Sequence, residues 1–104
     1  MSPFYLILIT ASNRIEAEKI SKTLVAEKLA ACVNIVPKIS SRYWWQGKME
    51  TASESLLLVK TKKSLIPKLI KKVKAIHSYT VPEIIALQIA QGNPVYLNWI
   101  QDSI

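Results

Sequence analysis

Three segments of the chain, Phe4–Thr10, Leu56–Val59 and Ile84–Ala90, are apolar at successive positions through their central parts. A strand with one face in water alternates apolar and polar residues, so unbroken runs mark strands covered on both sides. Only two longer stretches with helical periodicity accompany them. That shortage of covering helices constrains the fold more than any other feature.

The first helical stretch follows Asn13, an N-cap candidate with Glu16 three residues on as its capping-box partner. Ala17, Ile20, Leu24, Val25 and Leu29 then recur at helical spacing, which predicts a helix ending near Leu29. The second opens at Ser64, a good N-cap, and Pro67 falls in its first turn, where a missing N–H costs little. Leu65, Ile66, Leu69, Ile70 and Val73 form its buried stripe, and it ends around His77. Residues 31–45 read as extended, with Pro37 marking an edge or a bulge because it has no N–H for a ladder. Gln46-Gly47 supplies a hairpin turn, and the return strand runs from Lys48 to Thr61. Gly92-Asn93-Pro94 breaks the last strand from a short terminal helix, Tyr96–Ile104.

The order is β-α-β-β-α-β plus a C-terminal helix. It predicts one α+β domain over residues 1–104, ferredoxin-like, with an antiparallel sheet and both helices on one face. The other face is then uncovered, and each apolar side chain left wet forfeits roughly 1.5–3 kcal/mol. Self-association is the most economical cover. The long hairpin around Trp44 and Trp45 overshoots the other strands and can add its edges to neighbouring subunits.

The single cysteine, Cys32, cannot staple the fold, and MSPFYLILIT lacks the basic flank of a signal peptide and the length to cross a bilayer. The expectation is a soluble cytoplasmic protein with no membrane partner. The net charge of +7 raises nucleic acid as a partner. However, much of the excess sits in Lys60, Lys62, Lys63, Lys68, Lys71, Lys72 and Lys74, with no interleaved arginine or aromatic residue. That pattern reads as the solvated back of an amphipathic helix, so no nucleic-acid partner is expected. There is no phosphate-cradling loop, and the return strand lacks the aromatics of an RNA-recognition sheet.

An enzyme needs a nucleophile, a base and an orienting acid. Cys32, His77 and Glu83 are the only such trio, and they fit no catalytic motif, so no catalytic residue is assigned. Cys32 is a soft donor suited to Cu(I), yet a free cysteine in an apolar strand is usually packing. His77 at the exit of the second helix reads either as a residue favoured by the helix C-terminus or as a ligand. A lone cysteine and a lone histidine do not complete a four-ligand set, so any metal is weakly held or shared between subunits. Glu83 lies near His77 in sequence, and Lys60 and Glu54 on the return strand are candidates for the same polar cluster. Tyr43, Trp45, Tyr79 and Trp99 read as interface and core anchors.

Ordered blocks run through the chain: Thr10-Ala11, Leu29–Asn34, Ser41-x-Tyr43-x-Trp45-x-Gly47-Lys48, Glu54, Lys60-Thr61, His77-x-Tyr79-x-Val81-Pro82-Glu83-Ile84 and Tyr96-Leu97-x-Trp99. Together they resemble the CutA divalent-cation tolerance proteins over nearly the whole length. The resemblance implies a non-enzymatic homotrimer joined through its sheets, with a role in tolerance of copper and other divalent cations. It implies copper or another divalent cation as the metal, with His77 as the donor retained from the family's set; Cys32 joins it as a candidate donor on its own chemistry, and any such ion is weakly bound. It also implies a likeness to PII signalling trimers. That keeps open a signalling or scaffold trimer binding a small ligand in inter-subunit clefts near His77, Glu83 and Lys60. Some members carry a cysteine near the end of strand one and a His-His pair implicated in copper binding. Here those positions hold Ile9 and Ile76-His77, and the family's last-strand proline is Gln88.

Overall fold

The computed structural model describes residues 2–104. In chain order it contains β1 (Phe4–Ala11), α1 (Arg14–Ala26), β2 (Cys32–Trp45), β3 (Lys48–Lys62), a 3-10 turn (Lys63–Leu65), α2 (Ile66–Ile76), β4 (Ile84–Gln88) and α3 (Pro94–Ser103). The strands form one antiparallel sheet in the order β2-β3-β1-β4, as the ferredoxin-like plan requires.

One face of the sheet carries the core. Ile7, Ile9 and Ala11 of β1 and Leu57 and Val59 of β3 pack with Ala17, Ile20 and Leu24 of α1 and Leu69 and Val73 of α2. Side chains alternate along a strand, so the intervening residues face away from both helices. Leu6 and Leu8 lie there, beside Leu58 on β3 and Ile85 and Leu87 on β4. This second face is apolar but thinly covered: Ile85 is 48% exposed and Leu87 46%. The terminal helix supplies part of the cover. Ile100 of α3 is fully buried yet stands outside the α1–α2 core. Lys62, on the same face, donates from Nζ to the Ile104 carbonyl at 2.7 Å.

Asn13 caps α1 as expected, its Oδ1 accepting the Glu16 N–H at 2.9 Å. The helix stops at Ala26 and not near Leu29, because Lys28 adopts φ 57° and turns the chain back. The N–H of Leu29 bonds the Leu24 carbonyl at 2.9 Å and that of Lys28 bonds Val25 at 3.1 Å, a Schellman closure that returns Leu29 to the core. Glycine is the favoured residue at this left-handed position. Lys28→Gly is therefore expected to raise stability by about 0.5–1 kcal/mol in urea denaturation, the gain being limited by extra freedom in the unfolded chain.

Ser64 does not cap α2. The chain first makes the 3-10 turn, and no side chain caps the helix that follows. β4 ends at Gln88, short of Ala90. β2 and β3 run for 14 and 15 residues and project beyond the sheet as a two-stranded ribbon. Their register shifts between Val36 and Ile39, at Pro37, where the Ser55 hydroxyl donates to the Pro37 carbonyl at 2.7 Å. Gln46 and Gly47 close the ribbon with φ of 51° and 78°, giving the molecule a length of 44 Å.

Candidate functional site

Where the ribbon leaves the sheet, the segment after α2 is tied to the β1–α1 junction through two side chains. The His77 ring is fully buried. Its Nε2–H donates to the Thr10 carbonyl at 2.7 Å, and its Nδ1 accepts the Tyr79 N–H at 3.0 Å. Both ring nitrogens are thus engaged, and the pair of bonds selects the neutral Nε2–H tautomer. Glu16 is the second tie. Its Oε1 accepts both the N–H and the hydroxyl of Ser12 at 2.9 Å, and its Oε2 accepts the Ser78 N–H at 2.7 Å. Burial pushes this carboxyl up, but the hydrogen bonds from Ser12 and Ser78 outweigh that and hold it at about 2.

Those ties present Tyr79 to β3. Its hydroxyl donates to Glu54 Oε2 at 2.8 Å, and Glu54 is only 7% exposed. Burial, and then the Glu54 carboxylate, push the Tyr79 phenol above the usual tyrosine range, so it remains a donor. Between the ribbon and this segment lies a cleft of about 670 Å³. Ser41, Tyr43 and Trp45 line it from β2 in strand alternation, and Glu54 and Thr10 form its most buried walls. Tyr79 and Glu83 line the opposite side. The volume falls within the range of small-molecule sites.

Of the expected polar cluster, Tyr79 therefore links His77 to Glu54, and Glu83 lines the same cleft as Glu54. Lys60 is not with them. It stands six residues along β3 from Glu54, about 20 Å away at strand spacing, where its Nζ donates to Asn34 Oδ1 and to the Leu58 carbonyl. Cys32 pairs with Lys60 across the ladder and is half-buried, its Sγ donating to Asn34 Oδ1 at 3.9 Å. Burial, and then the Cys32 thiol, raise the Tyr96 phenol beside it. Trp99 lies with Tyr96, ring centroids 5.5 Å apart. Within the chain, then, Cys32 and His77 occupy different ends of the sheet. Among the described residues, no three or more His, Cys, Asp or Glu side chains are grouped to hold a metal. Sequence reasoning gave Glu16 only a capping role; Ser12 beside the cap was the available sign of a further one.

A family model described as CutA1 divalent ion tolerance protein matches residues 5–103. The chain belongs to the CutA1 family. It is 54% identical to the divalent-cation tolerance protein CutA of Thermus thermophilus over 97 residues, 93% of this chain and 94% of that protein. It is 48% identical to the chloroplastic CutA 1 of Oryza sativa subsp. japonica over 97% of this chain, but spans only 57% of that longer protein. Among solved structures, Cut A1 of Thermus thermophilus superposes with a TM-score of 0.94 at 52% identity, covering 96% of this chain and 97% of its own. CutA of Xylella fastidiosa gives 0.95 at 46% identity, with 99% of each chain covered. The CutA1 likeness thus takes in the cleft, the ribbon and the Cys32 end of the sheet alike.

Proposed function

We propose that the chain serves divalent-cation tolerance as a homotrimer that acts by binding and not by catalysis. Its subunits join through the apolar strip of the open sheet face and the edges of the projecting ribbons. The observation that carries the assembly is the apolar strip of Ile85 and Leu87, half exposed beside Leu6 and Leu8. Unpartnered strips of this kind are normally covered. The tolerance role follows the names of relatives, including the Thermus thermophilus and Archaeoglobus fulgidus divalent-cation tolerance proteins.

Copper enters this reading as a weakly held ion at Cys32, the half-buried soft donor. His77 contributes little within a subunit, because a metal on either ring nitrogen displaces a hydrogen bond already made. Cu(I) titration of the wild type, Cys32→Ser and His77→Ala tests this. Uptake is expected to vanish in Cys32→Ser and to stay within about twofold of wild type in His77→Ala. Loss confined to His77→Ala would transfer the site to the imidazole.

The cleft favours a second role. A pocket of about 670 Å³ with a preformed Tyr79–Glu54 hydrogen bond suits a small ligand, as in a signalling or scaffold trimer.

A further inference from the structure

The cleft differs in charge from the chain that builds it. The protein carries a formal charge of +7, yet the cleft is lined by two carboxylates, Glu54 and Glu83, against a single cation, Arg42. A third carboxylate, Glu16, stands directly behind the wall, held ionised and bonded to the N–H of Ser78, itself a lining residue. Arg42 is out of step with Ser41, Tyr43 and Trp45, so its side chain leaves from the other side of the ribbon.

Glu54 is the distinctive group. It is 7% exposed, and only Oε2 has a donor, the Tyr79 hydroxyl. Oε1 takes no protein donor among the described residues, yet no buried side-chain oxygen there lacks a partner, so Oε1 opens to the cleft. A carboxylate oxygen so poorly hydrated is best satisfied by a charged donor. The same side of the ribbon offers Tyr43 and Trp45, each nearly half exposed, whose ring faces attract cations and apolar bodies alike. An anion would enter against both carboxylates. A bare metal ion would lack the further donors it needs.

We propose that this cleft binds a small organic cation, its ammonium or guanidinium group on Glu54 Oε1 and its apolar body against Tyr43 and Trp45. The proposal rests on the small-ligand role given above and assigns the ligand's class.

The test compares two probes of similar shape and opposite charge, 2-phenylethylammonium and 3-phenylpropionate, titrated into the ¹⁵N-labelled full chain. The cation is expected to shift the amides of Tyr43, Trp45, Tyr79 and Glu83, with an affinity at least about tenfold above that of the carboxylate. Glu54→Gln keeps an acceptor for Tyr79 and removes the charge; it should weaken the cation about tenfold with the remaining spectrum unchanged. Trp45→Leu should weaken it by a similar factor. If 3-phenylpropionate binds these residues as tightly or more so, the cationic class is overturned while the ligand cleft stands. If neither probe moves them at millimolar concentration, the ligand role falls with it. An unchanged cation affinity in Glu54→Gln would also overturn the assignment.

Discussion

Glu16→Ala is expected to lower the unfolding free energy by about 3 kcal/mol or more, a large share of a small domain's stability. The carboxylate accepts three hydrogen bonds, from the N–H and hydroxyl of Ser12 and the N–H of Ser78. Its side chain is only 12% exposed, so water is poorly placed to replace them. The effect carries a pH signature. Burial alone would raise this carboxyl, but the three donors depress it from 4.5 to about 2 in the folded chain. A group with a depressed folded value stabilises fully above its unfolded value and loses that contribution as pH falls through the folded one. Wild-type stability should therefore drop by up to about 3 kcal/mol between pH 4.5 and 2. Glu16→Ala should show a correspondingly flatter profile in that window. Urea titrations at a series of pH values give both numbers. Equal slopes for the two proteins would remove Glu16 as the acid-sensitive tie.

Ile85→Asp combined with Leu87→Asp is expected to abolish self-association while leaving the subunit folded. Both side chains point away from α1 and α2, pair with Leu8 and Leu6 of β1, and remain about half exposed in the single chain. Covering the exposed half in an assembly gains roughly 0.7–1.5 kcal/mol for each side chain, half the value for full burial. Placing charges there reverses the sign, since an unpaired buried carboxylate is costly. The α1–α2 core does not include these positions, so the far-ultraviolet circular dichroism should be unchanged. A double variant that keeps the wild-type mass would place the interface elsewhere. A variant that unfolds is distinguished by that spectrum, and Leu87→Ser then serves as the milder substitution.

Strand identity and order were legible because the apolar runs of β1, β3 and β4 have few alternative placements once two helices must cover one face. Asn13 was legible for a similar reason, since its capping contact spans three residues and needs no distant partner. Long-range choices were not. Glu16 has the spacing of a capping-box residue, but its carboxylate goes to Ser12 and Ser78, and the second partner lies 62 residues on. Lys60 and Glu54 share β3 and looked like members of one cluster. Six strand residues of separation, and the pairing of Lys60 with Cys32, put them at different ends of the sheet. Helical spacing carried through to Leu29, whose burial is real but reached through the left-handed turn at Lys28. Ser64 has the chemistry of an N-cap, yet the chain enters α2 by a 3-10 turn. Tyr79 was read as an anchor; its hydroxyl also serves the cleft, which only the fold of the segment after α2 could place beside Glu54.

In the proposed trimer, further copies of the chain cover the apolar strip of the open sheet face and the edges of the ribbon. Sedimentation equilibrium of the wild type at micromolar concentration tests it most directly. The predicted result is a single species at three times the chain mass of 11.7 kDa, unchanged by moderate salt because the face is apolar. A stable species at the mass of one chain would contradict it.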